Sequence, residues 1–179
     1  MSGRVLVAEV GNVLRGDDGF GVAVARRLAA EDRLPSVIDL IETGIGGLSI
    51  VHQLMDGYET LIVVDSVDRG AAPGTVFVLE PSVPNPHALS AGDWQSTFSN
   101  LHLAEPSRVF VLAKALDVLP KRTLLVGCQP RDCDELSEGL SPPVQAAVAV
   151  AARTIHELIE AMPNRAGGGE TADVPGRSS

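Results

Sequence analysis

Short apolar runs of strand length alternate along this chain with segments whose apolar residues recur at helical spacing. Residues 4–10 (RVLVAEV) form a β-branched apolar run, and residues 20–30 then place Val22, Val24, Ala25 and Leu28 on one helical face. The unit repeats: residues 36–42 (SVIDLIE) predict a second strand, Gly44-Ile45-Gly46-Gly47 a turn, and residues 48–55 a short helix. Residues 60–65 (TLIVVD) are the most continuous apolar strand and end on an acid. Residues 75–79 (TVFVL) predict another strand, after the turn at Ala72-Pro73-Gly74. Residues 80–100 hold Pro81, Pro84, Pro86 and Gly92 among several Ser and Asn, and predict a long loop of the kind that is often functional. Helical spacing returns over residues 102–116, residues 123–128 (TLLVGC) predict a buried strand, and Ser141-Pro142 opens a last helix reaching Met162.

Strands alternating with helices imply parallel pairing with both sheet faces covered. The expected fold is therefore a three-layer α/β/α domain around a mostly parallel twisted sheet, over residues 1–162. Residues 163–179 have almost no apolar side chains and three consecutive glycines, and are expected to be a disordered tail.

Composition narrows the function. With 179 residues, 45% of them hydrophobic, the chain can bury one substantial core. Its formal charge of −9, with Lys and Arg scattered, argues against nucleic-acid binding. No apolar stretch approaches the roughly 20 residues that span a bilayer, so a soluble, cytoplasmic protein with no membrane partner is expected. Cys128 and Cys133 are the only cysteines and support neither a zinc framework nor a disulfide scaffold.

The chemistry gathers at one edge. In a sheet of this kind the ligand crevice lies outside the carboxyl ends of the strands. Asp17 and Asp18 follow the first strand in GNVLRGDDGFG, Asp65 ends the third, His102 begins the helix after the long loop, and Cys128 ends the last strand. Adjacent carboxylates need a helix end, donors or a cation to hold them. One reading makes one of the pair the cap of the first helix; another brings two carboxylates and an imidazole around a divalent ion such as zinc or nickel. His87 is a rival ligand to His102, whereas His52 and His156 fall inside predicted helices. The glycine-rich turn lacks the Walker lysine and the G-x-G-x-x-G spacing, and no G-x-S-x-G or H-E-x-x-H occurs. Cys128 reads as a small buried hydrophobe.

GNVLRGDDGFG, TLIVVDSV, NLH before a helix, TLLVGCQP and GLSP opening the last helix, in that order, resemble the maturation endopeptidases of nickel-iron hydrogenases. The likeness runs from about Val5 to Ile159. It implies an endopeptidase that removes a C-terminal extension from the hydrogenase large-subunit precursor after nickel insertion. It also implies that Asp18, Asp65 and His102 are the catalytic, metal-contacting residues, with Asp17 as cap or supporting acid. The metal would be the substrate's nickel, for which zinc or cadmium could substitute in a crystal, and the protein would act as a monomer. The metal either polarises the scissile carbonyl or a water, or serves only for recognition. The turn after the second strand departs from the family's acid-Gly-Gly-Thr pattern, reading Glu42-Thr43-Gly44-Ile45-Gly46. The competing class is a non-catalytic accessory protein that binds a metallated hydrogenase partner.

Overall fold

The computed structural model describes residues 3–31, 34–43, 47–99, 106–133 and 136–162. Five strands, β1 (Val5–Glu9), β2 (Ile38–Glu42), β3 (Thr60–Ser66), β4 (Val76–Leu79) and β5 (Arg122–Cys128), form one sheet in the order β2-β1-β3-β5-β4. Every pairing is parallel except that of β4 with β5, so the sheet is mostly parallel with one antiparallel edge strand. The central strands β1 and β3 read as unbroken apolar runs because both of their faces are covered.

Alternation along those strands sorts the core into two layers. Val5 and Val7 of β1 and Ile62 and Val64 of β3 pack with Phe20, Val24 and Leu28 of helix α1 (Phe20–Ala29). Val144, Val148 and Ile155 of helix α5 (Pro142–Glu160) complete that layer. Leu6, Ala8, Leu61 and Val63 face the other way, against Ile50, Val51 and Leu54 of α2 (Leu48–Leu54) and Phe110 and Leu112 of α4 (Pro106–Ala115). Helix α1 enters close to the sheet: a side chain at Gly21 would run into the carbonyl oxygens of Val10 and Val64.

Residues 80–100 are not the continuous loop that their prolines and polar residues predict. Pro86–Ala88 forms a 3-10 turn, and Ala91–Ser99 is a helix, α3. Its start is a reciprocal cap: the Asp93 N–H donates to Ser90 Oγ at 3.2 Å, while the Ser90 N–H donates to Asp93 Oδ2 at 2.9 Å. This capping arrangement satisfies donors at the first turn and makes a helix affordable in a polar segment. The predicted turn at Gly44–Gly46, the amino end of the helix expected from residue 102, and the tail from residue 163 lie outside the described residues.

Candidate active site

The segment between β1 and α1 folds back on itself before the helix starts. The Asn12 N–H donates to the Asp18 carbonyl at 3.2 Å, and the Asp18 N–H to the Arg15 carbonyl at 3.1 Å, closing the 3-10 turn Gly16–Gly19. Gly11, with φ near +147°, permits that return, since a side chain there would collide with the Asp18 carbonyl. The two acids of the turn then diverge.

Asp17 does not cap α1, the role that its position before the helix suggests; Gly19 is the N-cap there and offers no side chain. Asp17 is 2% exposed and points across to the segment between β5 and α5. Its Oδ1 accepts the Ser141 N–H at 2.6 Å, and its Oδ2 accepts the Arg131 N–H and the Ser141 hydroxyl, both at 2.8 Å. Burial alone would raise the Asp17 carboxyl. The Ser141 and Arg131 bonds outweigh it and hold the group below the ordinary carboxylate value. Ser141 is the N-cap of α5 and makes no side-chain bond to its own helix. Pro142 and Pro143 follow it and have no N–H to satisfy, so the carboxylate of Asp17 serves that helix end instead.

Asp18 turns toward β3. Its Oδ1 accepts the Ser66 hydroxyl at 3.3 Å, directly beside Asp65 in sequence. Asp65 continues the Leu61–Val63 row of β3 and is 7% exposed. Burial, then the neighbouring charge of Asp18, push its carboxyl well above the usual range; the Ser66 N–H opposes this and Glu9 adds to it. Glu9, 1% exposed at the end of β1, accepts the Thr43 N–H at 2.8 Å, and its carbonyl accepts the Thr43 hydroxyl. Opposite Asp65 on β5 stands Gly127, which leaves the carboxylate without a side chain beside it on that strand.

Sequence reading passed over two further members of this notch. Ser66 bridges Asp18 and the thiol of Cys133, whose Sγ lies 3.6 Å from the hydroxyl. Burial first, and then the charges of Asp18, Asp17 and Asp65, raise the Cys133 thiol against the Ser66 hydrogen bond. Ser66 is the last residue of β3 and Cys133 lies in the segment after β5, so both fall at the carboxyl edge. Cys128 is fully buried and its thiol is pushed up to about 11, chiefly by burial and next by Asp17, which suits packing and not nucleophilic attack.

The expected trio is therefore brought together in two of its members. Asp18 and Asp65 meet at the carboxyl edge, whereas His102 lies outside the described residues. Among the described residues no three His, Cys, Asp or Glu side chains are placed to hold a metal ion together, and His87, exposed in its 3-10 turn, joins no such group. His52 is exposed on α2, and His156 bonds Glu31 at 2.6 Å. The donor chemistry of the notch nevertheless fits a cation. A buried carboxylate whose charge is disfavoured first by burial and then by a second carboxylate gains from a positive charge placed between them.

Comparison with known proteins bears on what such a notch does. Residues 22–158 match the family described as hydrogenase maturation protease. The chain is 35% identical over 157 residues to the hydrogenase expression/formation protein HupD of Rhodobacter capsulatus, a match covering 87% of this chain and 71% of the relative. Among solved structures, the hydrogenase maturating endopeptidase HybD from E. coli aligns with a TM-score of 0.70 at 25% identity, over 88% of this chain and 92% of the other. A hydrogenase 2 maturation peptidase from a Thaumarchaeota archaeon aligns at 34% identity and a TM-score of 0.62, over 87% of this chain and 97% of that one.

Proposed function

The chain belongs to the hydrogenase maturation protease family, and from that premise we propose that it cleaves its precursor at the notch formed by Asp18 and Asp65. It is a hydrolase, an endopeptidase that processes a hydrogenase large subunit during maturation, which decides against a non-catalytic accessory role. The finer statement is our reading: the substrate is the nickel-loaded precursor, and the bond cut releases its C-terminal extension.

The observation that carries this reading is the meeting of Asp18 with the buried Asp65 at the carboxyl edge of the sheet, joined by Ser66. Two carboxylates held close in a partly dry notch are poor neighbours by themselves and good ones around a dication. Asp18 and Asp65 would take up the nickel that the precursor brings, with His102 as the expected nitrogen donor. Nickel supplied by the substrate would polarise the scissile carbonyl or a water at that point. The chain's own residues do the rest. Ser66 restrains the Asp18 carboxylate, and Asp17 holds the turn that carries Asp18 against the amino end of α5.

The test is to incubate the full chain with nickel-loaded and nickel-free precursor and to follow the mass of the large subunit. Loss of a C-terminal fragment from the loaded form alone supports the reading. Equal cleavage of both forms, or of neither, removes nickel recognition from it.

A further inference from the structure

Three large apolar side chains stand in solvent at the rim of the acid notch. Val13 is 40% exposed, Leu14 56% and Leu136 84%. Scattered exposed apolar residues are ordinary on any protein surface and need no account. These are not scattered, because two loops are knitted together beneath them. The Ser137 N–H donates to the Leu14 carbonyl at 3.2 Å, the Gly16 N–H donates to the Ser137 carbonyl at 2.8 Å, and Arg15 bridges Ser137 in parallel register. The bond from the Ser137 N–H to the Leu14 carbonyl sets the backbone of Leu136, the residue before Ser137, next to that of Leu14. Val13 packs back over Gly19, whose added Cβ would lie 3.2 Å from the Val13 Cα. The same turn carries Asp17 and Asp18, so the apolar rim and the notch belong to one hydrogen-bonded loop pair.

Resting on the assignment of cleavage to Asp18 and Asp65, we propose that Val13, Leu14 and Leu136 form a docking shelf for an extended apolar segment of the precursor chain next to the scissile bond. A polypeptide whose scissile bond reaches Asp18 must cross the loop tips that flank it, and on this side those tips are apolar. Three side chains fall far short of the roughly 800 Å² per partner that a stable protein interface buries. The shelf therefore suits a few side chains of an extended segment and not a folded face. Around it the rim is polar, with Arg15, Asp132, Ser137 and Glu138, so the shelf also fixes where along the rim the segment lies.

The test uses the full chain and the loaded precursor. Leu14→Ser, Leu136→Ser and the double variant are compared with wild type for cleavage kinetics and thermal midpoint, with Leu116→Ser, 48% exposed beyond the end of α4, as the control. Lost uniform binding shows as a raised KM with kcat kept, and the double variant should raise KM about tenfold. Its midpoint should stay unchanged, and Leu116→Ser should behave as wild type. Replacing the apolar residues beside the precursor's scissile bond with serine should raise KM for wild type but add little for the double variant. A double variant with wild-type KM overturns the shelf while leaving the cleavage assignment intact, whereas a wild type that does not cut the loaded precursor sinks both. A wild-type dimer that the leucine substitutions dissociate would give the shelf to a second copy of this chain and overturn the proposal.

Discussion

The carboxylate of Asp17 is bonded to both the N–H and the hydroxyl of Ser141, 124 residues further along the chain, at 2.6 and 2.8 Å. That pair closes the loop after β1 onto the start of α5, and the Arg131 N–H adds a second anchor on the same carboxylate. The turn that presents Asp18 is thus held from outside itself.

An asparagine at position 17 cannot reproduce this. Both oxygens of Asp17 accept, so an amide must turn its NH₂ toward the Ser141 or the Arg131 N–H. Asp17→Asn is expected to cost about 2 kcal/mol of stability, and Ser141→Ala about 1 kcal/mol. Urea unfolding midpoints of the two variants check this. A neutral Asp17→Asn would mean that the carboxylate is not holding the loops together. Reading Asp17 as the cap of α1 predicts a harmless asparagine, and the partners found across the molecule reverse that expectation.

Asp65 makes the opposite prediction. Its charge is disfavoured in the free protein by burial and by Asp18, so Asp65→Asn should leave the thermal midpoint unchanged or raise it. Loss of stability in Asp65→Asn, measured by calorimetry without added metal, would contradict the repulsion described for the notch.

Far from the notch, Arg4 donates to Asp39 at 2.8 Å while Tyr58 donates to the same oxygen at 2.9 Å. The Arg4 bond, against a smaller effect of burial and with help from Tyr58, holds the Asp39 carboxyl below its usual value. A depressed acid stabilises the fold above its unfolded value, and that contribution is lost as pH falls through the folded one. Asp39→Asn should therefore be less stable than wild type at neutral pH, with the difference narrowing below about pH 4. Both side chains are more than two-fifths exposed, so added salt should narrow it as well. A difference that persists unchanged at acid pH would show that packing, not charge, is responsible.

The cap of α3 is separable from all of this. Ser90→Ala removes one half of the reciprocal bond with Asp93 and should cost about 1 kcal/mol of helix stability. Hydrogen exchange over residues 91–95 reads it directly, and unchanged protection there would mean that the cap does not hold the helix.

These residues also mark how far the sequence could be read. Strands β1 and β3 were legible because both faces of each are buried, which leaves near-continuous apolar runs at Val5–Val7 and Leu61–Val64, and β5 because Leu124, Val126 and Cys128 are buried on one face with Leu125 partly covered on the other. The edge rule for open α/β sheets places Asp18 and Asp65 on one edge from the sequence alone. Helix α3 was hidden by the prolines that precede it and by its own polar composition, although Ser90 and Asp93 stand at capping spacing and could have betrayed it. The role of Asp17 was not legible, because Arg131 and Ser141 are distant in sequence and no local pattern encodes a bond of that reach. Ser66 and Cys133 were missed for a related reason: neither residue type attracts attention until the fold sets it beside Asp18.

The most direct measurement of the central claim is the rate at which the loaded precursor loses its C-terminal mass with wild type, Asp18→Asn and Asp65→Asn, each first shown to be folded. A neutral amide is a far poorer ligand to nickel than a carboxylate, so both variants should lose at least about a hundredfold in rate. Near-wild-type cleavage by either variant would take that residue out of the reaction and contradict the account of the notch.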